Sequence, residues 1–310
     1  MDGVVVIDKP DGMTSHDVVA AVRRLLPKGT KVGHTGTLDP FATGVLPVLI
    51  GKATRLARFL SSDDKRYLAT IAFGRSTTTY DRTGEATSEA TPGAVAALTP
   101  EAVAHALRGF MGVMSQTPPV FSAKKVDGVR AYERARLGDT TPPAPVEVVA
   151  HALTLTDWND ATGHATIAVH CGAGFYVRSL AHDLGRTLGV PAHLNALRRT
   201  AAGPFLEIDA RPLEAVLGGA AEALGSCALP MSALLVDIPA LTVTDVERDG
   251  IGHGRSVSVV DARMTAAITS LSEGGRVRLL DHAGDLVALA TKEPAATDSA
   301  ARLHPDIVLL

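Results

Sequence analysis

Hydrophobic positions along the chain change their period several times, and each change marks an element. Residues 3–8, G-V-V-V-I-D, form a short continuous apolar run and predict a buried strand. Ser15 follows as an N-cap, and Val18, Val19, Val22, Leu25 and Leu26 recur at helical spacing up to Pro27 and Gly29. Residues 33–47 read as loop from their Gly, Pro and Thr content. Residues 66–73 alternate as a strand does. Thr99 and Pro100 cap and open a helix running to about residue 111. Residues 115–130, with Pro, Ser and Lys, predict a long excursion. Residues 146–156 and 164–171 read as strands, and 176–188 as a helix closed by Gly189 and Pro191. Past residue 225 the runs become short and β-like, at 256–260, 276–281, 286–289 and 307–310. They predict a small β-rich unit of about 80 residues, a size that folds alone. Strands and helices mix without regular βαβ alternation, so the class is α+β.

A length of 310 residues fits two domains, or one large domain with an appendage. Apolar content of 46% and charged content of 20% are ordinary for a soluble chain. The start, M-D-G-V-V-V-I-D-K-P, does not read as a signal peptide, and no apolar run is long enough for a bilayer. Two cysteines give no disulfide framework and fit a cytoplasmic protein. The net charge of −3 gives no overall sign of a nucleic-acid partner. Residues 226–310 hold 7 Lys+Arg against 11 Asp+Glu, so the remainder is near neutral. Two basic segments stand out there: Lys124, Lys125, Arg130, Arg134 and Arg136, and Lys52, Arg55, Arg58, Lys65 and Arg66. On counts alone they are solvated surface charge, but such patches also bind phosphate.

The candidate chemistry centres on Asp39, in G-H-T-G-T-L-D-P-F-A-T-G-V-L-P. An Asp before Pro commonly caps a turn. Here Gly33, Gly36 and Gly44 surround it, and no other carboxylate lies between Lys31 and Asp63. A lone loop-borne carboxylate can act as nucleophile or base, whereas a two-acid glycosidase needs a partner. Tyr67, behind Lys65 and Arg66, can stack a nucleobase, although an edge or core tyrosine is the commoner meaning of that stretch. In C-G-A-G-F-Y-V-R-S-L, Tyr176 and Arg178 fall at a helix start, where the helix dipole disfavours a cation. A carboxylate alongside would offset that, and Asp39 is the proposed partner, its pKa lowered by the pairing. The eleven histidines give no metal signature; His164 and His170 merely share strand parity. Phosphate-loop, dinucleotide and serine-hydrolase motifs are missing.

Seven blocks occur in order: K-P-D-G-M-T-S-H-D, the Asp39 loop, K-R-Y, G-R-S-T-T-T-Y-D-R-T-G, Q-T-P-P-V-F-S-A-K-K-V-D-G-V-R-A-Y, G-F-Y-V-R-S-L and L-R-R-T. Together, over roughly residues 1–230, the chain closely resembles the TruB family of bacterial tRNA pseudouridine synthases. The resemblance implies an α+β pseudouridine-synthase core with a mixed or antiparallel sheet over residues 1–228. It adds a PUA-like domain over 229–310 and a thumb-like RNA-binding excursion at about 116–140. It implies isomerisation of the T-loop uridine 55 of tRNA, with base flipping and without cofactor or metal. On this resemblance Asp39 corresponds to the family's catalytic aspartate, Arg178 to the arginine paired with it and Tyr67 to the tyrosine against the flipped base. His34, Tyr176 and Leu197 are substrate positions, Lys124, Lys125 and Arg130 belong to the thumb, and Lys9 and Pro10 support the active-site loop. The partner implied is the T-arm of tRNA, with no membrane and no obligatory protein partner, and the enzyme a monomer. Two departures are Phe175, where the family has a small hydroxylic residue, and Gly-Ala after Cys171. A non-catalytic RNA-binding or tRNA-folding protein on the same fold is the alternative.

Overall fold

The structure is a computed structural model that describes residues 1–61, 63–122, 124–126, 129–139, 141–219, 224–260, 265–294 and 300–310. Ten strands build its main sheet: β1 (Gly3–Lys9), β2 (Val32–His34), β3 (Thr43–Ile50), β4 (Lys65–Phe73) and, after the hairpin β5 (Arg75–Thr77)–β6 (Ala86–Glu89), β7 (Gly112–Gln116). A second small hairpin, β8 (Lys125–Val126)–β9 (Val129–Arg130), precedes β10 (Val146–Asn159), β11 (His164–Cys171), β12 (Ala192–Ala202), β13 (Phe205–Leu206) and β14 (Arg211–Pro212). The order is β14-β1-β3-β12-β4-β11-β10-β7, with β2 on β3 and β13 on β12. Pairing is antiparallel except for β1 with β14 and β3 with β12. That is the expected mixed α+β arrangement.

The apolar run of β1 is continuous because both of its faces are covered. Val5 and Ile7 enter a core with helices Ser15–Arg24 and Val177–Leu188, while Val4 and Val6 enter another on the opposite side. This second core is shared with Leu286, Leu289, Ile307 and Leu309. Those residues belong to, or directly follow, strands of a five-stranded sheet built from β15 (Ala240–Thr242), β16 (Val257–Val260), β17 (Arg276–Leu280), β18 (Leu286–Lys292) and β19 (Ala300–Val308). The C-terminal sheet thus has its own apolar interior around Val277, Leu279 and Val287, and it also seals the back of β1 and β3. Among the described residues no helix is long and apolar enough to cross a membrane.

Several expectations shift. The cap of the first helix is Thr14, whose hydroxyl accepts from the Asp17 amide at 3.0 Å. The Asp17 carboxylate returns a bond to the Thr14 amide at 2.9 Å, completing a capping box. Ser15 is instead buried against the backbone of Leu38. The helix from Pro100 ends at Leu107 and continues as a single 3-10 turn. The loop predicted over 33–47 is shorter, since β2 and β3 take its ends. β12, near the middle of the sheet, has no strand signal in the sequence: its apolar positions are interrupted by Arg198 and Arg199. Alternation resolves this. Arg198 is bidentate to Asp8, at 3.0 and 2.9 Å, and also meets Glu207, while Arg199 points inward and is 1% exposed.

Where β12 meets β3, Arg199 lies opposite Gly44. Gly44 has φ +99°, and a Cβ there would fall 2.2 Å from the Arg199 carbonyl oxygen. Gly44→Ala is therefore expected to cost roughly 3 kcal/mol of folding stability, read as a lowered denaturant midpoint. An unchanged midpoint would show that the strands separate without cost.

Candidate active site

Three polar side chains, all buried, shape the loop that carries Asp39. The Lys9 ammonium, fully shielded at the end of β1, donates to the carbonyls of Pro10 (2.7 Å), Met13 (2.5 Å) and Pro40 (3.0 Å). Burial pushes its pKa down to about 8, against the pull of the Asp11 and Asp39 charges. The Gly12 amide also donates to the Pro40 carbonyl, at 2.9 Å. Ser15 accepts from the Leu38 amide at 2.8 Å. Arg199 donates from Nε to the Val45 carbonyl (2.7 Å) and from Nη2 to that of Gly36 (3.1 Å). The residues on both sides of Asp39 are thus tied to three separate elements, which leaves its carboxylate directed into the site.

The carboxylate meets Arg178, in the first turn of helix Val177–Leu188. Arg178 Nε lies 2.8 Å from Asp39 Oδ2, and Nη2 lies 3.0 Å from Oδ1. This is the fork geometry in which guanidinium and carboxylate are matched. The remaining donors reach the Thr79 carbonyl (3.1 Å), the Phe121 carbonyl (3.0 Å) and Asp81 Oδ2 (3.5 Å). Arg178 is 6% exposed at its side chain and Asp39 31%, so the pair opens toward solvent on the carboxylate's side. The expected downward pKa shift of Asp39 is corrected: burial pushes the carboxyl above its ordinary value, and the Arg178 charge opposes that without overcoming it.

Asp81, within the block G-R-S-T-T-T-Y-D-R-T-G, is a further residue of this centre that the sequence pattern does not single out. It is 4% exposed, and its Oδ1 accepts from the Thr79 hydroxyl (2.8 Å), the Thr83 amide (2.9 Å) and the Thr83 hydroxyl (2.6 Å). The legible signal was an Asp among threonines, in T-T-T-Y-D-R-T. Arg199 was likewise missed, hidden beside Arg198.

The other predicted positions gather around this centre. Tyr67 on β4 lies opposite Arg199 on β12, and Leu197 lies opposite Ala69, so all four side chains share one face. Tyr67 is half-buried; burial raises its phenol pKa, and the adjacent Arg199 guanidinium pulls it back. Tyr176 is the residue preceding the Arg178 helix, with its amide on Gln116 Oε1 (2.7 Å) and its carbonyl on Gln116 Nε2 (3.0 Å). Burial raises its phenol pKa too. His34 Nδ1 accepts from the Gly36 amide at 3.2 Å, and burial, with the nearby Arg199 charge, lowers its pKa. Phe175 is buried in the main core, which accommodates the departure from the family pattern there. In the basic excursion Lys124 is exposed, and β8–β9 is followed by a helix over Ala131–Arg136. The side chains of Lys125 and Arg130 lie outside the described residues.

Comparison with known proteins gives the family. Residues 23–177 match the family model for the N-terminal domain of the TruB family pseudouridylate synthases, and 178–236 match the tRNA pseudouridylate synthase B C-terminal domain. The chain is 45% identical to tRNA pseudouridine synthase B of Solibacter usitatus, over 93% of this chain and 95% of that protein. It is 47% identical to tRNA pseudouridine synthase B of Symbiobacterium thermophilum, over 84% of each. A chain in the crystal structure of a Cbf5-Nop10-Gar1 complex superposes with a TM-score of 0.71 at 25% identity, covering 99% of this chain and 85% of that one. The chain belongs to the TruB family of pseudouridylate synthases.

Proposed function

We propose that this protein is a tRNA pseudouridine synthase that isomerises the T-loop uridine 55, with Asp39 as its catalytic carboxylate. The observation that carries the catalytic assignment is the bidentate Asp39–Arg178 pair on a loop clamped by Lys9, Ser15 and Arg199. The N1–C1′ bond of uridine breaks, the base turns, C5 joins C1′, the C5 proton leaves to solvent, and N1, freed from the sugar, takes up a proton from solvent. No atom is gained or lost overall, so one carboxylate is sufficient. Attack at C1′, addition at C6 and proton removal at C2′ all require that carboxylate ionised, and Arg178 favours that form.

A uridine inside a folded loop must be flipped out to reach Asp39, at a cost of a few kcal/mol. Stacking on Tyr67 offsets about 1–3 kcal/mol of that. Tyr176 and Leu197 wall the base pocket, and His34 fills the place the base leaves. The excursion at 116–140 grips the T-arm with Lys124, Lys125 and Arg130. Residues 1–228 form the catalytic domain, and 229–310 a PUA-like domain whose acidity limits its share of RNA affinity. The enzyme acts as a monomer on tRNA in the cytoplasm.

Wild type is expected to release tritium from a C5-labelled tRNA transcript, and Asp39→Asn to release none while still binding the tRNA. Binding without release by wild type would leave an RNA-binding protein in place of the enzyme. The pH profile of the chemical step follows from burial of Asp39. With its pKa raised, the ionised form is lost as pH falls through a value above the ordinary carboxylate range. The acid limb of the single-turnover rate should lie there, and Arg178→Gln should move it higher; a limb at the free aspartate value would contradict the assignment. Charge reversal of Lys124 and Lys125 to Glu should weaken tRNA binding at low salt and flatten its salt dependence. Equal affinity in a filter-binding titration would remove the thumb role.

A further inference from the structure

Outside the Asp39 centre, the described residues contain one other convergence of ligating side chains. Asp64 precedes β4, His170 is near the end of β11, and His151 lies on β10. His151 Nε2 is 3.2 Å from Asp64 Oδ1, and His170 Nε2 is 3.3 Å from Asp64 Oδ2. The two imidazole centroids are 4.8 Å apart at 45°, and all three ligand atoms fall within 4.8 Å of one another. A fold irregularity produces this. The β10–β11 register slips between Ala150 and Ala152, so that His151 is the additional residue of a bulge. A bulge re-aims a side chain, and here it brings His151 beside His170.

We propose that Asp64, His151 and His170 form a binding site for a divalent transition cation of the zinc type. Two imidazoles and one carboxylate are a donor set suited to such an ion. Metal–nitrogen bonds of about 2.0–2.1 Å place ligand atoms roughly 3–4 Å apart, so a small rotation of the half-exposed rings closes the site. The carboxylate between the two rings disfavours an anion there. Arg66 lies opposite His170 in register, is exposed, and adds a positive charge that keeps affinity moderate. Of the other neighbouring charged side chains, Lys65 is buried and turned to the Ser61 and Asp63 carbonyls, and Asp63 adds a further negative charge. The bound ion would join the start of β4, three residues before Tyr67, to the β10–β11 hairpin. Its effect is structural: it uses none of the residues around Asp39.

The test is a titration of the full-length, untagged protein with Co²⁺, read by visible absorption, and with Zn²⁺, read by calorimetry and melting temperature. Expected are one ion per chain, a rise in melting temperature, and at least tenfold weaker binding in His151→Ala and in His170→Ala. His164→Ala, on the same strand as His170 but outside the cluster, should bind as wild type does. Absence of binding by folded wild type, or binding unchanged in the double variant His151→Ala/His170→Ala, overturns the site. The readout is metal binding, so the result stands independently of the synthase assignment.

Discussion

The site depends on one buried guanidinium. Arg178 collects Asp39, Asp81 and the carbonyls of Thr79 and Phe121, groups that come from three segments distant in sequence. A cation shielded from water is costly unless every donor is matched. Meeting that demand fixes the place of the Asp39 loop, the turn after β5 and the start of the excursion relative to helix Val177–Leu188. The same contacts settle why an arginine occupies a helix N-terminus. Two carboxylates outweigh the unfavourable dipole.

Behind the reactive face the loop is held by groups that take no part in the pair. Lys9, Ser15 and Arg199 bond to backbone atoms at Pro40, Leu38 and Gly36. Each tie bonds to main-chain atoms, so it fixes the path of the chain whatever side chain the residue carries. A carboxylate held from several elements keeps its position to a fraction of an ångström, the precision that chemistry at a site demands. Arg199 links this clamp to Tyr67, because the two lie across from each other on β12 and β4. One buried arginine thereby connects the loop of the Asp39 carboxylate with the Tyr67 ring.

The C-terminal sheet contributes in another way. Its Leu286 and Leu289, with Ile307 and Leu309, complete a core with Val4, Val6, Val45 and Leu49. Without that cover β1 would expose an apolar face, although β1 carries Lys9 and orders the loop next to it. Residues 226–310 are net acidic, whereas the basic segments lie at 52–66 and 121–136.

Local pattern was sufficient for the elements whose signal is local. The apolar run of β1, the helix spacing after Thr14, the Thr99 cap and the Gly189 stop are all short-range effects of propensity and capping. The motif blocks also marked Asp39 and Arg178 before any geometry, as a lone carboxylate in a glycine loop and a misplaced arginine. The strand β12, the partner Asp81, the inward Arg199 and the bulge at His151 were not legible. In each, the decisive neighbour lies far away along the chain, and no local period records it. The sequence by itself determined which residues could carry charge, turn the chain or fill a core. Only the tertiary structure decided which charges would be buried together, because desolvation and pairing depend on neighbours that folding alone supplies.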